Sequence, residues 1–218
     1  MMKSSFILEC INEITQMVLT HENEIEPLDR AIGDGDHYIN LKRGCVAIQS
    51  MQAELEPMTS EDIFQRIGIK LLSTVGGASG PLFASFFIDL SKYIKINGHS
   101  SYIHISQGFD QGVKAIMHRG KSNLGEKTML DVLIPVSEKF LALAKSNVEI
   151  KLIAEQLSIE AKKGMLSTKN LMPTKGRSSS LGGRALGHID PGAKSCQLMI
   201  DVVCKMINKK KDYEKIHK

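Results

Sequence analysis

Apolar residues recur along this chain every three or four positions, the period of an α-helix with one buried face. Phe6, Ile7, Cys10, Ile11, Ile14, Met17 and Val18 form one such stripe, and Leu82, Phe83, Phe86, Phe87, Leu90 and Ile94 form another. Further stripes run through Ile63, Ile67 and Leu71, from Ile103 to Met117, from Leu130 to Ala144, from Ile150 to Ala161, and through Leu198, Met199, Val202, Val203 and Met206. The alternation expected of a strand is confined to Tyr102 through Ser106, with no second run across a hairpin turn, and it reads as the start of a helix. Pro135 lies inside a helical stripe, either as a kink or as a first-turn residue. The pattern predicts seven or eight helices and an all-α fold, organised as one domain over residues 1–218 with no Pro/Ser-rich linker, repeat or low-complexity segment.

Composition agrees with helices. The chain has no Trp, 5% aromatic residues and 11 Met, a mixture that suits helix packing better than a β-sandwich. Its net charge of +4 is modest and its basic residues are scattered, which argues against a nucleic-acid partner. The exception is the run over 209–218, which reads as a frayed, solvated tail. Cys10, Cys45, Cys196 and Cys204 form no CxxC pair and lie in apolar surroundings, as reduced core thiols of a cytoplasmic protein do. No secretory signal is readable at the N-terminus, and no apolar run approaches the roughly 20 residues that span a bilayer, so no membrane association is expected.

The segments between helices change the picture. Leu28-Asp-Arg-Ala-Ile-Gly-Asp-Gly-Asp-His37 places Asp29, Asp34 and Asp36 within eight residues, with Gly33 and Gly35 interleaved. Clustered carboxylates repel one another unless a cation offsets them, and Mg²⁺ favours a few carboxylates together with phosphate oxygens. The spacing is not that of an EF-hand, whose twelve-residue loop closes on glutamate; counted from Asp29 the last position is Asn40, and from Asp34 it is Cys45. The plainer alternative is a surface turn in which Asp34 or Asp36 caps the next helix.

Two more glycine-rich loops hold more glycine than a helix cap requires. Val75-Gly-Gly-Ala-Ser-Gly-Pro81 precedes a helical stripe, where free N–H groups and the helix dipole favour an anion. It lacks the GK[ST] element of a Walker loop, and Ser79 as a simple N-cap is an equal reading. Thr174 to Arg184 sets Lys175, Arg177 and Arg184 among serines and glycines, either as a phosphate-binding lid or as a solvated loop. His37 and His188 follow acidic or glycine turns, and no nucleophile with an activating base is readable from spacing.

Taken together, these loops resemble the DhaL family, the nucleotide-binding subunits of phosphotransferase-system-dependent dihydroxyacetone kinases and the equivalent C-terminal domain of the ATP-dependent enzymes. The matching elements are Leu28 to His37 with Asn40 and Gly44, Gly76-Gly-Ala-Ser-Gly-Pro-Leu82, Gly125-Glu-Lys-Thr-Met-Leu-Asp131, and Gly176-Arg177 through Gly187-His-Ile-Asp-Pro-Gly-Ala193. The resemblance implies an antiparallel eight-helix barrel with a nucleotide at one end. It implies that Asp29, Asp34 and Asp36 bind two Mg²⁺ ions, and that His37, Asn40, Ala78 and Ser79 lie at the phosphates. Gly120, Met129 and Arg177 would line the rest of the pocket, with Asp190 to Gly192 closing it. It also implies that bound ADP accepts a phosphoryl group from a DhaM-like phosphocarrier subunit, and that the resulting ATP passes it to dihydroxyacetone on a DhaK-like subunit. The oligomeric state, a homodimer included, is left open. The chain departs from the family pattern at Tyr38, where a small glycine is usual, and at Ser180 and Gly183, where an aromatic residue and a glutamate are usual. Two other readings share the fold: the nucleotide domain of another kinase, such as fatty acid kinase, and a regulatory binding module.

Overall fold

The computed structural model describes the backbone over residues 3–216 and side chains over residues 3–209. Among them are ten α-helices: α1 (Ser4–Thr20), α2 (Glu22–Ile32), α3 (His37–Gln49), α4 (Gln52–Leu55), α5 (Ser60–Thr74), α6 (Ser79–Asn97), α7 (Tyr102–Gly120), α8 (Leu130–Lys145), α9 (Ile150–Ser167) and α10 (Pro191–Ile216). Two 3₁₀ segments, Thr168–Asn170 and Arg177–Ala185, lie between α9 and α10. No strand occurs among the described residues, and Tyr102 opens α7 as its pattern predicts. Pro135 sits inside an uninterrupted α8.

Eight of these helices form a closed ring. In the order α1, α3, α5, α6, α7, α8, α9, α10 each packs on the next, and α10 returns to α1. This is the expected eight-helix barrel. The short α2 and α4 are additions to it, which is why the helix count exceeds the seven or eight read from apolar stripes. α2 escapes periodicity because its buried face is Ile25, Asp29 and Ile32, and a buried aspartate interrupts the apolar pattern. α10 begins seven residues before its stripe, because Asp190 caps it and Pro191 supplies a first-turn residue with no N–H to satisfy.

The main core joins the barrel helices through aliphatic side chains and a run of aromatic contacts. Phe86 meets Phe109 edge to face at 5.3 Å, and Phe109 meets Phe140 at 6.4 Å, linking α6, α7 and α8. A smaller core of Met17, Val18, Ile25, Tyr38, Leu41, Cys45 and Leu198 ties α2 and α3 to α1 and α10. The four cysteines are buried and form no disulfide, and burial pushes the thiols of Cys45 and Cys204 up to about 12, which keeps those two protonated and unreactive. No helix among the described residues is long and apolar enough to cross a membrane. The tail expected over 209–218 falls mostly outside the described side chains, although α10 continues to Ile216.

Because neighbours around the ring alternate in direction, α3, α6, α8 and α10 start at the same end. Three contacts verify the convergence. An ideal Cβ on Gly77, just before α6, would lie 3.8 Å from Asp36 Oδ2 at the start of α3. His37 Nε2 lies 2.8 Å from Ser195 Oγ in the first turns of α10. An ideal Cβ on Gly192 would lie 3.6 Å from Met129 Cβ at the start of α8. Four helix N-termini therefore face one region, and their dipoles there favour anions.

Candidate functional site

The acidic cluster is built by the last turn of α2 and the tight link into α3. Asp29 is helical, not part of the turn as its spacing suggested, and it is only 4% exposed. Its Oδ2 accepts a hydrogen bond from the His37 N–H at 2.9 Å. Asp36 is the N-cap residue of α3, yet its side chain makes no capping bond. The role proposed for Asp34 or Asp36 by the plainer alternative thus falls to Asp29, and the other two carboxylates are exposed and outside the cap. Gly33 is required here: a Cβ would lie 1.8 Å from Asp29 Oδ1.

Ligand atoms of Asp29, Asp34 and Asp36 lie within 4.8 Å of one another. Burial and the neighbouring Asp34 carboxylate both raise the Asp36 pKa. Such a set fits a hard divalent cation: three carboxylates converge, one is buried, and their mutual repulsion is what a cation would relieve. The protein itself offers one guanidinium, with Arg177 Nε 2.7 Å from Asp34 Oδ2.

The second loop lies directly against this cluster. Gly77 has φ of +65°, a left-handed conformation that glycine adopts without steric cost, and it faces Asp36 Oδ2 and Asn40 Nδ2. A Cβ on Gly76 would come within 3.2 Å of Asn40 Oδ1, which also accepts from Arg43 Nη1 at 3.2 Å. α6 starts at Ser79 with Ala78 as its N-cap residue and no side-chain cap, so Ser79 is not the simple cap of the alternative reading. Its hydroxyl and the Ala78 backbone stand at the helix N-terminus.

His37 is half-buried as a residue, but its ring is desolvated, which lowers its pKa and favours the neutral form. Ser195 Oγ lies 2.9 Å from the Pro191 carbonyl and 2.8 Å from His37 Nε2, so a hydroxyl that donates to the carbonyl pairs with a ring protonated on Nε2. The third loop is a kinked 3₁₀ segment over Arg177–Ala185, more ordered than a plain solvated loop, and Ser180 and Gly183 lie on its exposed surface.

A second patch adjoins the first. Met129, Asp190 and Gly192 are contiguous at the starts of α8 and α10. Asp190 Oδ2 accepts from the Ala193 N–H at 2.7 Å. The residue as a whole is half-buried, but its carboxyl is enclosed, and burial lifts its pKa to about 7 despite that bond. Gly120 lies at the end of α7, where a Cβ would be 3.3 Å from Leu82 Cδ2, so it borders the site through α6 and has no contact with the aspartates.

Two residues with no role assigned from sequence hold these patches in place. Lys127 is 1% exposed, donates to the His188 carbonyl at 2.6 Å and also to the Thr168 carbonyl, and faces Asp190 and Asp131. Asp131 accepts from the N–H groups of Gly125 at 2.6 Å and Thr128 at 2.7 Å, fixing the loop that leads into α8. Both lie in the Gly125 to Asp131 motif. A lysine in a glycine-bearing loop reads as exposed, and nothing in its spacing signals burial.

The raised Asp190 pKa carries a pH dependence. Its folded value of about 7 lies above the ordinary carboxylate value of 3.8, so between these limits the folded state binds more protons than the unfolded state. This contribution to stability is present at low pH and is lost as pH rises from about 4 to about 7. Asp190→Asn is expected to flatten that part of a stability profile measured by denaturant unfolding; an unchanged slope would reject the assignment.

Fold and site together define an all-α barrel with an acidic, metal-type cluster at the end where its helix N-termini gather, a class suited to binding phosphorylated ligands. Residues 31–205 match the DAK2 domain, and the chain belongs to that family. It is 37% identical to the PEP-dependent dihydroxyacetone kinase 1, ADP-binding subunit DhaL, of Listeria innocua, over 88% of this chain and 91% of that protein. It is 35% identical to the corresponding PEP-dependent subunit of Escherichia coli, over 84% of this chain and 88% of that one. A crystal structure of the dihydroxyacetone kinase from C. freundii in complex with AMP-PNP and Mg²⁺ shares the fold, with a TM-score of 0.73 and 21% identity over 92% of this chain. The chain spans about a third of that larger protein, at 34%. These relatives are kinases or kinase subunits, and the family is one of phosphotransferases.

Proposed function

We propose that this chain is the nucleotide-holding subunit of a dihydroxyacetone kinase. In this reading it retains ADP or ATP with Mg²⁺, receives a phosphoryl group from a DhaM-like phosphocarrier and delivers it to dihydroxyacetone on a DhaK-like subunit. The observation that carries the reading is the convergence of Asp29, Asp34 and Asp36 within 4.8 Å, at the end of a barrel related to ADP-binding subunits.

Each part of the site then has a task. Asp29, Asp34 and Asp36 hold two metal ions, which supply charge neutralisation at the phosphates. The glycine loop brings backbone N–H groups and Ser79 to the phosphates without side-chain obstruction, with Asn40 beneath it. His37, neutral and tied to Ser195, sets the relation of α3 to α10. Arg177, 73% exposed, exchanges its in-chain carboxylate for phosphate when ligand is bound. Met129, Gly120, Asp190 and Gly192 line the remainder. No nucleophilic side chain is required, since phosphoryl transfer asks mainly for positioning and charge stabilisation.

Tyr38 does not weaken this reading: it is 2% exposed in the smaller core and stiffens the α2–α3 link instead of entering the site mouth. Calorimetry with Mg²⁺ is expected to show ADP binding that Asp34→Ala abolishes. Absence of adenine-nucleotide binding by the unaltered protein would overturn the proposal. Nucleotide binding without phosphotransfer to dihydroxyacetone, given DhaK-like and DhaM-like partners, would favour a regulatory module or a different acceptor.

A further inference from the structure

The outer face of α9 carries three large apolar side chains that the barrel leaves about half exposed. Leu152 is 47% exposed, Ile159 60% and Leu166 45%, and they recur at intervals of seven residues. Seven residues are nearly two helical turns, so the three lie in one stripe along almost the full length of α9 (Ile150–Ser167). A stripe of this kind is a seam for another helix.

We propose that α9 pairs with the same face of a second copy of this chain, antiparallel, about a two-fold axis passing at Ile159. The charge pattern selects this partner and this direction. About that axis Ile159 meets Ile159 of the second copy, and Leu152 meets its Leu166. Glu155 and Lys162 are both exposed and lie on the same flank of the stripe. In an antiparallel pair residues on the same flank face each other, so Glu155 of each copy comes opposite Lys162 of the other, twice by symmetry. A parallel pair would carry the same flank to opposite sides of the seam, leaving Glu155 and Lys162 of one copy out of reach of those of the other. On the other flank Lys163 is already 3.6 Å from Glu160 of its own chain. A flank whose acid and base complement each other across the perpendicular two-fold of an antiparallel pair points to a second copy over an unrelated partner.

One helix face offers less than the roughly 800 Å² per partner of a standard stable interface. The association expected is therefore weak, with a Kd on the order of 0.1 mM, and the flanking charges make it sensitive to salt. Sedimentation velocity of the full chain from about 10 µM to about 1 mM tests it. The sedimentation coefficient is expected to rise toward that of a dimer, and Ile159→Lys, which places two like charges on the axis, should hold the protein monomeric. Glu155→Lys should weaken association about tenfold, and adding Lys162→Glu should restore it. Nucleotide binding by each variant confirms that it is folded, since α9's outer face lies outside the site. A monomer throughout the range overturns the proposal, as does association unaffected by Ile159→Lys or a double reversal that fails to recover what the single one lost.

Discussion

Asp29→Asn is expected to leave the protein folded and to reduce Mg²⁺-dependent nucleotide binding by at least about 100-fold, equivalent to about 2.7 kcal/mol. The asparagine keeps the shape of the side chain and still presents an oxygen to the His37 N–H, the bond that now measures 2.9 Å from Asp29 Oδ2. The start of α3 therefore keeps its cap. What is lost is the anionic oxygen of the most buried member of the cluster, and a hard cation depends on that charge. Asp29→Ala removes both functions and should add a capping loss of about 0.5–2 kcal/mol. Calorimetry and thermal unfolding separate the two effects. Wild-type affinity in Asp29→Asn would mean that the residue is a helix cap and nothing more.

Lys127→Met is expected to cost about 2–4 kcal/mol of stability, the largest effect of a single substitution outside the hydrophobic core. The carbonyls of Thr168 and His188 would lose their charged donor in a buried setting, and Asp190 and Asp131 would lose the cation that faces them. For a domain of this size that corresponds to a fall in melting temperature of about 5–15 °C. Nucleotide affinity should fall as well, because Lys127 fixes the relation between the loop bearing Met129 and the loop bearing Asp190 and Gly192. Lys127→Arg should recover part of the stability. A melting temperature within a degree of the unaltered protein would show that other contacts hold these loops.

The three aspartates were legible in the sequence as a metal-type cluster, because short spacing forces carboxylates together whatever the rest of the chain does. Their division of labour was not. Only the packing of α2 against the start of α3 makes Asp29 the buried member that ties down His37, and leaves Asp34 and Asp36 at the surface. Asp190 and Gly192 could be carried over from a resemblance of motifs, but the closeness of Gly192 to Met129 is a long-range contact between two helix starts. Lys127 was invisible as a buried group, since its burial depends on α9 and the loop before α10 closing over it.

By itself, the chain determines its helical character through apolar periodicity, and it determines a phosphate-and-metal chemistry through loops rich in aspartate and glycine. These are local properties, carried by residues a few positions apart. The tertiary structure decides which loops meet. Closing α10 onto α1 brings four helix N-termini to one end, so residues from 29 to 192 share one surface. That convergence depends on the direction in which each helix enters the ring, which is set by packing between segments far apart in sequence. No local spacing encodes it.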